Sequence, residues 1–275
     1  MYMKLKDGKS KVLTLSYDDG VVQDIRLIDI LNKHGLKATF NINSGLYLPE
    51  DAKREKFRGR LKRSEAIALY KNSAHEVAVH GVRHAFLPRL TSTEMINEVL
   101  PDRESLENDY ETIVRGMAYS FGEYSTKALE ILADCGIVYS RTVHSTLSFE
   151  FPENWLTLHP TCHHNNEKLM ALAERFVTTE SRYPAQNWMF YVWGHSYEFD
   201  DNDNWDVIER FAEYTGGKED IWYATNMEIY EYVHAYNSLI VSANGKRVKN
   251  PTDIDVWFTQ DKMTYCVKAG ETIVL

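Results

Sequence analysis

Apolar runs and amphipathic segments alternate along most of this chain. Residues 11–17 are apolar and β-branched and end at Asp18-Asp19-Gly20, which predicts a buried strand followed by a turn. Residues 22–34 carry apolar side chains at helical spacing, and Gly35 follows where a helix commonly ends. The chain therefore opens with a strand and then a helix.

The same alternation continues to about residue 236. Further strands are predicted at 36–42, 76–79, 112–118, 137–141, 188–193 and 221–224. Further helices are predicted at 63–72, 91–108, 125–134, 165–177, 205–214 and 227–236. Strands that alternate with helices form parallel sheets, and at this length a (β/α) barrel is the natural closure. The pattern predicts an α/β fold.

The character of the sequence changes from residue 237 onward. Short strand-like runs at 239–242, 255–258, 264–267 and 272–275 are separated by turn residues. We predict a barrel domain over 1–236 and a small C-terminal antiparallel β-appendage over 237–275.

Composition narrows the class of protein. The net charge of −9 argues against nucleic-acid and anionic membrane partners, which require a basic surface. No apolar stretch approaches the roughly 20 residues of a membrane span. The three cysteines lie far apart and fit reduced core thiols. With no secretion signal visible, the expected location is the cytoplasm.

Polar residues follow several predicted strands, where a parallel barrel exposes its chemistry. Asp18 and Asp19 follow the first strand, His80 and His84 follow the strand 76–79, and His195 follows the strand 188–193. Residues 119–123 also follow a strand. All four groups should lie on one rim of the barrel, although they come from distant parts of the chain.

These residue types fit a metal site. Two adjacent carboxylates repel one another unless a cation or proton relieves them, although Asp-Gly is also common in plain turns. His80 and His84 are four residues apart, so on one helical turn both imidazoles could reach one ion. An isolated pair of this kind also fits solvated or capping histidines. Two histidines and one carboxylate would leave a position for water, as catalytic sites do.

Other residues near this rim have two interpretations each. His195 could protonate a departing amine or be a core histidine. Trp193 and Tyr197 could stack on a sugar ring or belong to the core. His163-His164 is a further pair that follows a possible strand.

Four segments resemble the motifs of the polysaccharide deacetylases, carbohydrate esterase family 4. Residues 15–20 (Leu-Ser-Tyr-Asp-Asp-Gly) resemble its Thr-Phe-Asp-Asp-Gly motif, and 80–84 match its His-(Ser/Thr)-x-x-His at both histidines. Residues 118–122 are similar to its Arg-x-Pro-Tyr-Gly segment, and 192–195 match Leu-x-x-His. The order is the family's, and the resemblance covers roughly residues 8–236.

The resemblance implies a distorted (β/α) barrel of about seven strands and a role for each motif residue. Asp19, His80 and His84 would bind a divalent metal, with zinc the expected ion, Asp18 would be the general base and His195 the general acid. The oxyanion would rest on the metal and a backbone N–H near Phe121, in a segment that includes Tyr119.

Some family residues are missing. Ala118 stands where the family has the arginine that steadies the base; Arg115 and Arg141 are the candidates to replace it, with Arg115 preferred. The family's Asp-x-x-Asp-Trp segment is reduced to the tryptophan of residues 151–155, so the partner of His195 is unidentified. A divergent member of the family is indicated.

The leading hypothesis is a metal-dependent hydrolase that removes the N-acetyl group from a sugar or oligosaccharide. Hydrolysis of another amide or cyclic amide C–N bond on the same barrel is the alternative within enzymes. A carbohydrate-binding protein without turnover is the alternative outside them, although binding alone needs no base.

Overall fold

The computed structural model describes residues 1–53, 59–71, 73–180 and 186–275. In chain order the strands are β1 (Tyr2–Lys4), β2 (Lys11–Asp18), β3 (Ala38–Ile42), β4 (Glu76–Val79), β5 (Gly116–Ala118), β6 (Tyr139–Arg141), β7 (Cys162–His163), β8 (Trp188–Gly194), β9 (Ile221–Tyr223), β10 (Ile240–Val241), β11 (Arg247–Lys249), β12 (Val256–Gln260), β13 (Met263–Val267) and β14 (Thr272–Val274). The helices are α1 (Asp24–Lys33), α2 (Arg63–Tyr70), α3 (Ser92–Tyr110), α4 (Thr126–Asp134), α5 (Leu169–Thr178), α6 (Tyr197–Asp201), α7 (Trp205–Thr215) and α8 (Asn226–Asn237).

A parallel sheet forms the centre of the fold and confirms the predicted α/β class. Seven strands follow the order β6-β5-β4-β3-β2-β8-β7, and an eighth, β9, pairs with the first residues of β2. Leu158 pairs with Arg141 of β6, while Cys162 a few residues later pairs with Val192 of β8. This stretch therefore links one edge of the sheet toward the other, and the sheet curls into a distorted barrel.

Strand β2 lies in the interior of this sheet, and both of its faces are covered. All its residues are buried. Leu13, Leu15 and Tyr17 belong to the main hydrophobic core, whereas Val12 belongs to a second cluster that includes Tyr191 of β8. Alternate side chains of a strand point to opposite faces, so Leu13, Leu15 and Tyr17 pack into one core and Val12 into the other.

Two small antiparallel sheets contain the strands of the tail. One has the order β10-β11-β14 and the other β1-β12-β13. The second includes an N-terminal strand, since Tyr2 pairs with Thr259. The division of the chain into domains at residue 236 stays a prediction.

Several elements differ from the expected ones. Strands β5 and β6 are shorter than predicted because the residues before them form turns and loop. Strand β7 and helix α6 were not predicted at all; both have five residues or fewer, too short for a clear periodicity. The predicted helix 63–72 ends at Tyr70, and Asn72 lies outside the described residues. Within the described residues, no helix has the length and apolar character needed to cross a membrane.

Candidate functional site

The strand ends bring the predicted polar residues together on one rim of the barrel. Asp18 is the last residue of β2, and Asn41 pairs with it on β3. His80 follows β4, and Arg141 is the last residue of β6. His195 follows β8 directly. These positions share one end of a parallel sheet, which explains why distant segments meet there.

Asp19, His80 and His84 form a group that could hold a metal ion. Their ligand atoms all lie within 4.8 Å of one another. Nδ1 of His80 lies 2.8 Å from the carbonyl oxygen of Ala118, to which it can donate. This leaves Nε2 as a lone-pair donor, and that buried atom has no hydrogen-bond partner among the described residues. Burial lowers the pKa of His80 to about 4, so its ring is neutral, as a metal ligand must be. The residues therefore fit a divalent ion.

The two histidines do not lie on a helical turn, so that part of the sequence interpretation is wrong. Residues 80–86 form an irregular loop in which Gly81 and His84 both have positive φ angles, 81° and 56°. The side-chain amide of Asn43 donates to the carbonyls of His80 and Gly81 at 2.8 and 2.7 Å. Long-range contacts, rather than helical spacing, bring His84 to His80.

Arg60 also contacts Asp19, a contact that no sequence motif predicted. Its guanidinium lies 2.9 Å from Oδ1 of Asp19 and donates a second, very short hydrogen bond to the Asp19 carbonyl oxygen. The same group donates to Oδ1 of Asn43 at 2.8 Å. Asp19 has a φ of 86°, a strained value for a residue with a side chain. Arg60 stabilises this backbone conformation.

Asp18 is buried and surrounded by donors. Nη2 of Arg141 lies 2.5 Å from Oδ2, and the side-chain amide of Asn41 donates to Oδ1 at 2.8 Å. Nε2 of His80 and of His195 lie 3.7 and 3.8 Å from Oδ2. Burial alone would raise the pKa of Asp18, but Arg141 and the two histidines outweigh it and hold the pKa at about 2. The carboxylate stays ionised.

Of the two arginines considered as replacements for the family arginine, Arg141 reaches the site and Arg115 does not. Arg141 is fully buried, and its guanidinium lies 4.3 Å from the ring centroid of Trp193. Arg115 is exposed and precedes β5, at the opposite end of the barrel, where its closest polar contact is the carbonyl of Gly136 at 3.5 Å. The preference for Arg115 was wrong, because only the residue at the carboxyl end of a strand faces the rim.

His195 has a carboxylate partner, Glu198, on the first turn of α6. Nδ1 of His195 lies 3.3 Å from Oε1 of Glu198. Burial would lower the pKa of His195, but Glu198 and Asp18 together hold it above its ordinary value of 6.5. The spacing of three residues on a helix start was the signal that could have identified Glu198. Trp155, the remnant of the family segment, packs edge-on against Tyr230 instead.

Glu198 also contacts two adjacent histidines, His163 and His164. Nε2 of His163 and Nε2 of His164 both lie 3.0 Å from Oε2 of Glu198. His164 is fully buried, stacked on Phe199 with 4.2 Å between the ring centroids. One carboxylate therefore has three imidazoles around it, and these contacts hold the pKa of Glu198 far below its usual range despite its partial burial.

The remaining aromatic candidates differ in exposure. Tyr119 is buried and donates to the carbonyl of Leu156, and Trp193 is buried beneath Arg141. Phe121 is 58% exposed, edge-on to His84 at 4.7 Å between centroids, with a φ of 65°. The ring of Tyr197 lies 5.1 Å from that of His195. Phe121 and Tyr197 are thus at the rim, while Tyr119 and Trp193 are packing residues.

Comparison with known proteins identifies a family and several solved structures that resemble this chain. Residues 5–140 match the family model of the polysaccharide deacetylases. A protein of Mycobacterium smegmatis that is assigned as a polysaccharide deacetylase is similar in structure, with a TM-score of 0.57 and 15% sequence identity. The match covers 86% of this chain and 95% of that protein. A family 4 carbohydrate esterase from Streptomyces lividans has a TM-score of 0.52 and 15% sequence identity. The match covers 78% of this chain and 91% of that protein.

Another solved structure matches a smaller part of this chain. A Streptococcus pyogenes deacetylase is 20% identical with a TM-score of 0.46, over 52% of this chain, and the chain spans 61% of that protein. No curated protein matches the sequence. At these identities the structural likeness shows the fold. The match of residues 5–140 to the family model is what assigns the chain, as a divergent member, to the polysaccharide deacetylase family.

Proposed function

We propose that this protein is a metal-dependent hydrolase that removes the acetyl group from the nitrogen of an N-acetylated sugar or short oligosaccharide. The observation that carries the proposal is the meeting of Asp19, His80 and His84 beside an ionised Asp18 and a carboxylate-linked His195 on one rim. A metal set, a base and an acid are the groups that amide hydrolysis requires.

Asp19, His80 and His84 would hold the ion. A divalent metal at such a set lowers the pKa of a bound water and polarises a carbonyl oxygen. Zinc is the expected ion, and cobalt and nickel accept the same ligands. Arg60 would keep the Asp19 backbone in the conformation that directs its carboxylate to the histidines.

Asp18 would accept the proton of the attacking water. Its pKa of about 2 keeps the carboxylate ionised, and Arg141 and Asn41 fix its orientation. The closeness of Oδ2 to Nε2 of His80, 3.7 Å, supports a base that works beside the metal position.

His195 would donate a proton to the departing nitrogen. Its Nε2 faces the site, while Nδ1 lies beside Glu198, which favours the protonated ring. An oxyanion would be stabilised by a backbone N–H near Phe121. The exposed ring of Phe121 and the partly exposed ring of Tyr197, which lies beside His195, would contact the sugar. Transfer of the proton would release acetate and a free amine.

The test combines metal analysis of the purified protein with acetate release from a panel of N-acetylated sugars. We expect the purified protein to contain bound metal and to release acetate from at least one of the sugars. Asp18→Asn protein should release no acetate from that sugar. Bound metal without acetate from any sugar would instead favour another amide substrate. Failure to bind any divalent metal would favour the sugar-binding protein. Arg141 supplies a guanidinium to Asp18 although the family arginine is absent, which supports the N-acetyl sugar over another amide substrate.

A further inference from the structure

A second group of metal-ligating side chains lies beside the site described above. It consists of His163, His164 and Glu198, whose ligand atoms lie within 4.8 Å of one another. The proposed hydrolysis uses only Glu198 from this group, as the partner of His195. The two histidines have no role in it.

The composition of this group repeats that of Asp19, His80 and His84. Each has one carboxylate, one fully buried histidine and one partly exposed histidine. In each, Nε2 of the buried histidine lies near a carboxylate oxygen, at 3.7 Å from Oδ2 of Asp18 for His80 and at 3.0 Å from Oε2 of Glu198 for His164. A neutral imidazole beside a carboxylate is a ligand pair that a divalent ion can bind.

The distances fit ligands arranged around an ion. Oε2 of Glu198 lies 3.0 Å from Nε2 of both His163 and His164. Nitrogen and oxygen atoms about 2.0–2.1 Å from a tetrahedral ion are about 3.3 Å from each other. The His164 contact has the length of a hydrogen bond and is also close to the separation of two ligands of one ion. With the ring proton on Nδ1, Nε2 of His164 carries a lone pair that an ion beside the carboxylate oxygen could accept.

The ring of His164 is seated firmly. It stacks against both Phe199 and Tyr17, with centroid distances of 4.2 and 5.7 Å. It also fills the space beside Gly194, where an added Cβ would lie 2.1 Å from Nδ1. Ligands that packing holds in place bind an ion with little further loss of conformational freedom.

From this arrangement we infer a second divalent metal site, formed by His163, His164 and Glu198, for a zinc-type ion. Oε2 of Glu198 binds the ion, which leaves Oε1 for Nδ1 of His195 at 3.3 Å. The ion then fixes the carboxylate that orients His195, so its role is structural. The inference does not depend on deacetylase activity.

One contact makes this site the weaker of the two. Nδ1 of His163 accepts a hydrogen bond from the backbone N–H of Asn165 at 3.1 Å, which places the ring proton on Nε2. Binding of an ion requires the other tautomer and breaks that bond. Asn165 is exposed, so water can replace the lost acceptor. We expect the second site to fill after the first.

The experiment measures zinc and cobalt stoichiometry. Protein stripped with a chelator is loaded with excess ion, passed through a desalting column and analysed by mass spectrometry of the metal. Wild type should retain two equivalents, and His163→Ala and His84→Ala should each retain one. Because His163 is partly exposed, its truncation should leave the fold intact, which circular dichroism checks. Glu198→Gln is the second variant and should also retain one.

His144→Ala is the matched control. His144 lies against His159, with ring centroids 5.1 Å apart, but the two do not form a group with a carboxylate in the described residues. This variant should retain two equivalents. One equivalent in wild type, or two in folded His163→Ala, would overturn the second site. Acetate assays on the same samples report separately on the proposed function.

Discussion

The guanidinium of Arg141 lies 2.5 Å from the carboxylate of Asp18, and both side chains are buried between the ends of β6 and β2. The two residues are 123 positions apart in sequence. In a protein interior each charge of such a pair offsets the desolvation cost of the other, since either charge alone would be costly to bury. The contact makes Asp18 an ionised group in a place where burial would otherwise protonate it.

Removal of Arg141 should therefore damage both stability and activity. For Arg141→Met we expect a loss of about 3–5 kcal/mol in unfolding free energy, because the Asp18 carboxylate is left buried without a partner. The double variant Arg141→Met/Asp18→Asn should recover much of this. Chemical denaturation measures both. Arg115→Met is the control and should stay near wild type, because Arg115 is exposed. An equal loss in the control would contradict the assignment.

The two aspartates should separate binding from catalysis. Asp18→Asn should abolish acetate release while the protein keeps its metal, because Asp18 is proposed as the base and not as a ligand. Asp19→Asn should lose the metal that Asp19, His80 and His84 would hold. Metal analysis and single-turnover assays on both proteins give the comparison. Equal metal loss in Asp18→Asn would mean that the roles are assigned the wrong way round.

Glu198 should set the alkaline side of the activity profile. The proposed acid, His195, works when protonated, and Glu198 helps to hold its pKa above the ordinary value. In Glu198→Gln the pKa should fall, so activity should be lost at a lower pH than in wild type. We expect kcat to change more than KM. A pH–rate profile of protein that carries one equivalent of metal, so that no ion neutralises Glu198, measures this, and Glu198→Asp, which keeps the charge, should restore part of the shift. An unmoved alkaline limb in Glu198→Gln would remove Glu198 from the mechanism.

His75 should make stability depend on pH away from the site. It is buried, and its Nδ1 accepts a hydrogen bond from the backbone N–H of Ala38 at 3.1 Å. Burial lowers its pKa from 6.5 to about 4. As the pH falls, the imidazole of His75 therefore binds a proton at a higher pH in the unfolded chain than in the folded one. His75 contributes stability above pH 6.5 that is lost as the pH falls toward 4, by at most about 1.4 kcal/mol per pH unit.

A variant isolates this effect from that of the other histidines. In His75→Asn the amide oxygen can accept from Ala38 without titrating, so the unfolding free energy should fall less between pH 6.5 and 4 than in wild type. Urea denaturation at several pH values measures the difference. His234→Asn, at an exposed position, should keep the wild-type slope. The same slope in His75→Asn would show that His75 does not carry the dependence.

The order of elements and the rim were predictable from sequence because both depend on local patterns. An apolar run such as 188–193 marks a buried strand, and the residue after a parallel strand faces the rim whatever its neighbours are. Asp18, Asp19, His80 and His195 followed from that rule alone. The sequence alone therefore predicted which strand ends meet at the rim.

Only the tertiary structure decided which of them contact one another. Arg141 and not Arg115 meets Asp18, because β6 presents its carboxyl end to the rim while Arg115 precedes its strand. His84 approaches His80 through an irregular loop and not through a helical turn. Arg60 and the pair His163-His164 join from segments with no periodic signal. Such contacts depend on how strands and loops pack across the barrel, and spacing along the chain does not contain that information.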